Sequence, residues 1–246
     1  MLTTELLHMR DNYLREFDGR ILHAHENCLV LDRTCFYPEG GGQAGDRGAI
    51  RDSYNSLEVV DTKKAEGEVQ HLCKADVPPS FGPLVHGSID WDWRYECMRF
   101  HTAQHVLSRY LLLNYGVETV GNMVKPGESR ADYQPMDHLT EETRKEIEEG
   151  VNAILARNLD VQIRFMPREE AITFLQDAGY QVRYLEMVPR SISEFRVVAV
   201  GDYDFASCAG THVANTHEIG GVVIGKNKNV GAGKQRIYFS LTPLGV

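Results

Sequence analysis

Two histidines four residues apart lie within a segment of helical character. His101 and His105 belong to the run from Arg99 to Leu107. Residues i and i+4 of a helix share one face, so both imidazoles would project side by side and could bind one metal ion. A thiol and a third imidazole, again four residues apart, follow much later in the chain as Cys208 and His212. The four side chains form a set of N and S donors that suits Zn²⁺.

Neither pair is specific by itself. Short motifs of this kind arise by chance in a chain with ten histidines. For either pair taken alone, a histidine that is satisfied in the core or at the surface is an equally good interpretation. The joint occurrence of both pairs favours the metal interpretation.

A glycine-rich segment, Phe36–Gly48, could also carry chemistry, because it places Gly40–Gly42 directly before Gln43. Glycines let backbone amides approach a ligand closely, and a glutamine amide both donates and accepts hydrogen bonds. The segment is either a flexible hairpin loop or a loop that contacts an anionic or ester-bearing substrate. It lacks the Lys-Ser/Thr ending of a P-loop, so we expect no nucleotide cofactor.

A third segment places basic residues among glycines near the C-terminus. Lys226, Lys228 and Lys234 lie between Gly225 and Arg236. This strip could contact the phosphates of RNA, and a solvated hairpin is an equally good interpretation. The net charge of −9 opposes bulk attraction to nucleic acid, so any RNA affinity must come from a local strip.

Short strand-like runs separated by turn residues fill the N-terminal part, which predicts a small antiparallel sheet or barrel. Residues 1–16 have the apolar spacing of a short amphipathic helix. Pro78–Pro83 is typical of a linker or rigid turn, so we place a domain boundary between residues 88 and 89. The predicted strands are Arg20–His25, Cys28–Asp32, Gly48–Arg51, Leu57–Thr62 and Val69–Leu72.

The remaining chain alternates helices and strands. Asp90 or Asp92 would cap a long helix to about Asn114 that carries both histidines at the edge of its apolar stripe. Thr140 would cap a second helix, and Pro167 would begin a third that ends before Gly179. The predicted strands are Gly121–Val124, Ser129–Tyr133, Gln181–Leu185, Arg196–Val200, Gly220–Ile224 and Arg236–Leu241. The predicted fold class is α+β: a small N-terminal antiparallel β-barrel (1–88), then a mixed α/β zinc-binding domain (89–246).

The composition is ordinary for a globular chain, with 42% apolar and 25% charged residues. No apolar run is long enough for a membrane span, and no secretory signal is visible at the N-terminus. Five cysteines at irregular spacings do not form a disulfide framework, so we expect a reducing, cytoplasmic setting.

Taken together, the motifs resemble the freestanding alanyl-tRNA editing proteins (the AlaX family) and the matching editing region of alanyl-tRNA synthetase. They occur in the family's order, and the N-terminal strands with the Gly-Gly-Gln loop resemble the longer AlaX form, in which a small barrel precedes the metal domain. Gln104 and Ala209 stand where the family often has Thr and Gly, and neither change removes a ligand. The segments that carry the resemblance are Phe36–Gly48, Arg99–Leu107, Ser129–Tyr133, Val182-Arg183, Cys208–His212 with Ile219-Gly220, and Arg236–Phe239.

The resemblance implies a trans-editing hydrolase that cleaves the ester of mischarged tRNA(Ala), chiefly Ser-tRNA(Ala) and in some members Gly-tRNA(Ala). It implies zinc on His101, His105, Cys208 and His212. We expect Gln43 to act in catalysis, and Gln43→Ala to slow the reaction while zinc content and stability stay near wild type. We expect the substrate-binding residues to be Gly41, Gly42, Thr102 and Asn122, and the tRNA-binding residues to be Lys226, Lys228 and Lys234.

Two hypotheses of different class follow. The first is a zinc-dependent aminoacyl-tRNA hydrolase, in which the metal activates water or positions the ester. The second is an RNA-binding module that keeps zinc as a structural clip and has no hydrolase activity. A general metallohydrolase of small esters or peptides is disfavoured, since Thr102 stands where the His-Glu-x-x-His motif has glutamate. Serine release from Ser-tRNA(Ala), with and without chelator, discriminates between the first two hypotheses.

Overall fold

A computed structural model describes residues 4–180, 182, 185 and 187–244 of the chain. The chain divides into two compact units. One comprises Met1–His101, Gly121–Arg130 and Gly210–His212, and the other comprises Thr102–Val120, Ala131–Ala209 and Val213–Val246. The predicted domain ranges, 1–88 and 89–246, stay a prediction.

The first unit contains a closed six-stranded barrel, which confirms the predicted small antiparallel barrel. Every neighbouring pair of its strands is antiparallel. Alternate side chains of the strands point inward and fill the core with apolar residues such as Leu29, Leu31 and Ile50. Around the ring, the strands are β2 (Glu16–His25), β3 (Cys28–Leu31), β7 (Glu68–Cys73), β6 (Ser56–Ala65), β5 (Gly48–Arg51) and β8 (Leu84–Ile89).

The N-terminal segment differs from the prediction, and the predicted helix over residues 1–16 is wrong. Of residues 4–16, only Leu7–Met9 form a short 3₁₀-helix, while β1 (Glu5–Leu6) pairs in parallel with β4 (Arg33–Thr34). Backbone pairing to β4 overrides the local helical spacing, which is a weak determinant over so short a segment. Strand β8, which closes the barrel, has an alternating burial pattern that sequence analysis did not identify.

The long helix is confirmed as α1 (Trp91–Tyr115). Asp90 caps it, because its Oδ1 accepts a hydrogen bond of 3.2 Å from the backbone N–H of Trp93. The predicted apolar stripe is buried at Phe100, Ala103, Leu107 and Leu111. His101 and His105 are therefore presented by a regular helix.

Among the residues that the structure describes, two further sheets, two further α-helices and a 3₁₀-helix (Thr216–Ile219) follow, and the fold is mixed α+β as predicted. Thr140 caps α2 (Glu141–Leu155) through its side chain, and Pro167 and a positive-φ Gly179 flank α3 (Arg168–Asp177). Strands β11 (Val161–Pro167) and β13 (Asp204–Ser207) were not predicted, and most of the predicted strand 181–185 lies outside the described residues. One sheet has the order β14 (Val222–Gly231), β15 (Lys234–Leu241), β10 (Ser129–Gln134), β9 (Glu118–Met123). The other has the order β11 (Val161–Pro167), β12 (Glu194–Val200), β13 (Asp204–Ser207), and the helices are α2 (Glu141–Leu155) and α3 (Arg168–Asp177).

Each helix is held by specific contacts. On α2, Asn152 exchanges two hydrogen bonds of 2.8 Å with the backbone of Val222 in β14. Ala171 and Leu175 of α3 pack into an apolar cluster with Phe195 and Val197 of β12. Within the part of the chain that the structure describes, no helix has both the length and the apolar composition needed to cross a membrane.

Candidate metal centre

The structure brings the four predicted metal ligands together. His101, His105, Cys208 and His212 each offer one ligand atom, and these atoms all lie within 4.8 Å of one another. With bonds of about 2.0–2.3 Å, the ligand atoms of a tetrahedral zinc lie roughly 3.5 Å apart. The cluster is therefore near the geometry of one zinc site, and its donor set of three imidazoles and a thiol fits that ion.

The loop from Cys208 to His212 is fixed by backbone contacts. Arg196 of β12 accepts a hydrogen bond from the N–H of Cys208 (3.1 Å) through its carbonyl and donates Nη1 to the carbonyl of Cys208 (2.5 Å). The N–H of His212 donates to Oδ1 of the buried Asn12 (2.8 Å). A Cβ at the buried Gly210 would lie 2.0 Å from Cε1 of His101, so only glycine lets the loop pass the imidazole.

Gln43 lies against His101 and is fully buried. Its Oε1 accepts hydrogen bonds from Nδ1 of His101 (2.8 Å) and from the N–H of Thr211 (3.0 Å), and its Nε2 donates to Oγ1 of Thr211 (2.8 Å). An amide oxygen can only accept, so the contact places the proton of His101 on Nδ1 and leaves Nε2 to face a metal. The predicted catalytic residue thus contacts a predicted metal ligand.

The glycine-rich loop is joined to strand β9 and the residue after it. Gly41 and Gly42 have φ of +56° and +84°, and Asn122 donates Nδ2 to the carbonyl of Gly41 (3.0 Å). A Cβ at Gly42 would lie 2.2 Å from Oδ1 of Asn122. The backbone of Val124 donates to the carbonyl of Gly42 (2.7 Å) and accepts from Ala44 (3.0 Å). The structure thus places Gly41, Gly42 and Asn122 together, and their substrate-binding role stays a prediction.

Thr102 follows His101 on helix α1 and is fully buried. Its Oγ1 accepts a hydrogen bond of 3.3 Å from the N–H of Val213, the residue after His212. The side chain therefore supports the backbone that follows this ligand. Its predicted contact with a substrate hydroxyl stays a prediction.

His105 has a charged partner that sequence analysis missed. Its Nδ1 lies 2.9 Å from Oδ2 of Asp204, whose other oxygen accepts a 2.5 Å hydrogen bond from the hydroxyl of Tyr180. Burial lowers the pKa of His105, but the hydrogen bonds to Asp204 and Cys208 outweigh it and raise the pKa to about 10 in the metal-free protein. A metal that binds Nε2 of His105 must displace the proton that this nitrogen carries in the imidazolium form. Asp204 and Tyr180 match no motif, so nothing in the sequence marked them.

Comparison with known proteins bears directly on this site. Residues 3–93 match the family model for tRNA synthetases class II (A), and residues 195–238 match that for the threonyl and alanyl tRNA synthetase second additional domain. The alanyl-tRNA editing protein AlaX-M of Saccharolobus solfataricus is 32% identical over 242 residues, 98% of this chain and 100% of that protein. The chain belongs to the AlaX family of alanyl-tRNA editing proteins. The resemblance found in the motifs is confirmed.

Longer relatives of this AlaX chain are alanine–tRNA ligases. The ligase of Saccharolobus islandicus is 37% identical over 247 residues, and that of Ignicoccus hospitalis is 35% identical over 240 residues. These matches cover 98% and 96% of the AlaX chain but only 27% and 26% of the ligases. The chain therefore corresponds to about a quarter of each ligase.

A cavity of about 530 Å³ in the AlaX chain borders His105 and Asp204. Its polar wall is a hydrogen-bonded group in which Oγ of Ser108 accepts from Nε2 of Gln104 and from Oγ1 of Thr119, both at 2.9 Å. Leu112 and Val117 provide apolar lining. A concave site of this volume with a few convergent polar groups is typical of small-ligand binding.

The predicted basic strip lies on the β14–β15 hairpin. Lys226 and Lys228 are exposed on β14, and Lys234 begins β15. Nζ of Lys226 lies 4.7 Å from the ring centroid of Tyr238, and Lys228 faces Arg236 across the hairpin. The three lysines lie on β14 and β15, and none of the four candidate metal ligands belongs to these strands. Their tRNA-binding role stays a prediction.

A buried ion pair anchors the glycine-rich segment of the AlaX chain to the first turn of α1. Arg94 and Asp46 are both fully buried, with Nε of Arg94 3.0 Å from Oδ1 of Asp46. The guanidinium also donates to the carbonyl oxygens of Asn12 (3.0 Å) and Cys35 (2.6 Å). Its donors are therefore well satisfied, as a buried charge requires. Sequence analysis did not identify this pair.

Proposed function

We propose that this chain is a trans-editing hydrolase that deacylates mischarged tRNA(Ala), with Ser-tRNA(Ala) as the main substrate and Gly-tRNA(Ala) as a second. The observation that carries the proposal is the convergence of His101, His105, Cys208 and His212 in a chain that matches an AlaX-M editing protein over that protein's entire length. The enzyme class is a zinc-dependent aminoacyl-tRNA hydrolase, a carboxylic ester hydrolase.

The four ligands would hold zinc, which supplies Lewis-acid chemistry at the aminoacyl ester when bound. The chain's own groups orient those ligands. Gln43 holds the ring of His101 through Nδ1, and Asn12 holds the backbone of His212. We propose that Gln43 acts in catalysis through His101, because its amide oxygen and nitrogen already have partners on His101 and Thr211.

The aminoacyl end would bind in the cavity beside His105. A site that hydrogen-bonds the serine hydroxyl rejects alanine strongly, because its polar groups lose their partner when alanine enters. The polar wall around Ser108 provides groups of the required kind. We also propose Gly41, Gly42, Thr102 and Asn122 as substrate-binding residues.

RNA affinity would come from the lysines of the β14–β15 hairpin. Lys226 and Lys228 are exposed, so their charges are available to phosphates. Tyr238 adds an aromatic ring beside Lys226, and aromatic rings can stack on unpaired bases. A local basic hairpin would attract RNA phosphates although the net charge of the chain is −9.

One observation favours the second candidate, an RNA-binding module without hydrolase activity. Four protein ligands complete a tetrahedral zinc, and structural zinc sites are closed in this way. Hydrolysis at this centre requires a weak ligand or an added fifth one.

The deciding experiment is a deacylation panel. Ser-, Gly- and Ala-charged tRNA(Ala) are incubated with the purified protein, with chelator-treated protein, and with chelator-treated protein given zinc again. We expect release of serine, less release of glycine and little of alanine, with loss in the chelator arm and recovery with zinc. Tight tRNA binding without release of any amino acid would establish the binding module instead.

A further inference from the structure

Asp204 and His105 form a buried side-chain contact beside the metal cluster. The side chains of His105 and Asp204 are 9% and 6% exposed, and Oδ2 of Asp204 lies 2.9 Å from Nδ1 of His105. Asp204 begins β13, whose last residue, Ser207, directly precedes Cys208. The carboxylate is therefore attached to the same segment as one metal ligand and contacts another.

We propose that Asp204, held in place by Tyr180, is a positioning residue that fixes the orientation and tautomer of His105 and thereby sets the affinity of the metal site. The inference rests on the metal-binding part of the proposed function. Asp204 and Tyr180 belong to none of the sequence motifs that predicted the site.

Tyr180 prevents the carboxylate from rotating away from His105. Its hydroxyl donates to Oδ1 of Asp204 (2.5 Å) and accepts from the N–H of Phe205 (3.0 Å), so both functions of the hydroxyl are used. Arg109 covers the tyrosine ring at 4.4 Å and donates to the carbonyl oxygens of Tyr203 and Ala178. The carboxylate thus has one oxygen on the tyrosine and the other on the imidazole.

The arrangement has an electronic consequence. A carboxylate accepts the Nδ1 proton and leaves Nε2 as the ligand atom of His105, and a negative partner also makes that ligand more basic. His101 has the neutral amide of Gln43 in the equivalent place. The two histidines of α1 are therefore unequal ligands, with His105 the stronger.

The test compares three variants by metal affinity and by spectrum. Asp204→Asn keeps the shape and removes the charge, Tyr180→Phe removes only the hydroxyl, and Asp202→Asn is the matched control. Asp202 lies two residues away in an exposed ion pair with Arg157. Zinc affinity is measured by competition with a chromophoric chelator, and the absorption spectrum of the Co²⁺-loaded protein reports the ligand geometry.

We expect Asp204→Asn to weaken zinc binding about 10–100-fold, the usual effect of removing an outer partner of a metal-bound histidine. Tyr180→Phe should weaken it less, and both should shift the Co²⁺ bands while Asp202→Asn leaves affinity and spectrum unchanged. Wild-type affinity and an unchanged Co²⁺ spectrum in Asp204→Asn overturn the inference. If Asp204→Asn does not fold, a Tyr180→Phe protein with wild-type affinity and spectrum overturns it equally.

The experiment contains no tRNA, so its outcome is separate from that of the deacylation panel. A protein that binds zinc through the Asp204-supported His105 but releases no amino acid refutes the hydrolase proposal alone. An active zinc enzyme whose metal affinity ignores Asp204 refutes this inference alone.

Discussion

The amide oxygen of Gln43 lies 2.8 Å from Nδ1 of His101, although 58 positions separate the two residues in the chain. The contact joins the glycine-rich segment to the helix that carries the first candidate metal ligand. Because Gln43 is fully buried, its amide holds this imidazole rather than facing solvent.

Gln43→Ala should therefore affect the metal site as well as the reaction. We expect deacylation at least about tenfold slower, weaker zinc binding, and a loss of about 1–3 kcal/mol of unfolding free energy, because Thr211 and His101 keep buried donors without an acceptor. The sequence-based expectation of unchanged stability assumed that a loop side chain contributes little, and the full burial of Gln43 argues against that assumption. Urea unfolding and zinc titration measure the two effects, with the exposed Gln176→Ala of α3 as control. Wild-type stability in Gln43→Ala would contradict the hydrogen-bonded role.

Cys208 should be required for zinc. The purified protein should hold about one zinc per chain, and Cys208→Ala should reduce that occupancy because it removes the sulfur donor. Cys28→Ala is the control, since Cys28 is a half-buried free thiol of the barrel that does not belong to the cluster. Metal analysis of the desalted proteins gives the stoichiometry. Full zinc retention in both Cys208→Ala and His101→Ala would remove the proposed site.

The buried pair of Arg94 and Asp46 should contribute strongly to folding. Asp46→Ala leaves a guanidinium buried without its counter-charge, and we expect a loss of about 3–5 kcal/mol. Glu58→Ala breaks the exposed contact to Lys74 and should change stability by no more than about 1 kcal/mol. Chemical unfolding of both variants at one pH tests the contrast, and similar losses would argue against it.

His71 should make the barrel sensitive to mild acid. Burial lowers its pKa to about 4, partly offset by the hydrogen bond to the carbonyl of Leu29. The unfolded chain, with a pKa of about 6.5, takes up the proton first as pH falls. Stability is therefore complete above about pH 6.5 and declines toward pH 4, by about 3 kcal/mol in total.

His71→Gln should flatten this decline, and the exposed His23→Gln should not. The quantity to compare is the difference in unfolding free energy between pH 7.5 and pH 5 for each protein. Equal acid sensitivity of the wild type and His71→Gln would mean that other groups govern the decline.

The lysines of the β14–β15 hairpin should account for much of the salt dependence of RNA binding. Replacing Lys226, Lys228 and Lys234 together with alanine should weaken tRNA binding and flatten the slope of log K against log salt. A control with the same charge change replaces Lys63, Lys74 and Lys145, which pair with acidic residues elsewhere. Filter binding at several salt concentrations distinguishes the two triple variants. An unchanged slope in the hairpin variant would place the tRNA on another surface.

Local patterns predicted the parts of the fold that local forces determine. The stripe through Phe100 and Leu107 predicted α1. Thr140 was predicted as a cap, and Asp90 was one of the two caps predicted for α1. The predicted strand Gly48–Arg51 matches β5 residue for residue. The joint occurrence of the His-x-x-x-His and Cys-x-x-x-His spacings predicted four residues that converge in the structure, because candidate ligands of one metal must be of particular residue types and must share a face.

Long-range partners could not be predicted in this way. Asp204, Tyr180, Arg94 and Asp46 matter through contacts between residues 24 to 99 positions apart. The residues that flank an aspartate or a tyrosine in the sequence do not indicate that its side chain contacts a distant residue. The prediction of an N-terminal helix was wrong for a related reason, because β1 pairs with β4, which lies more than 25 residues further along the chain.

The contrast between Ala209 and Gly210 bears on how this loop can change over time. Ala209 is exposed, so space at this position does not require glycine, and other residues can occupy it. At Gly210 even one methyl group would strike the imidazole of His101 and approach the amide of Gln43 to 3.0 Å. Between Cys208 and His212, residue 209 can therefore change without a steric clash, whereas residue 210 must stay glycine. Neither residue belongs to the four candidate metal ligands.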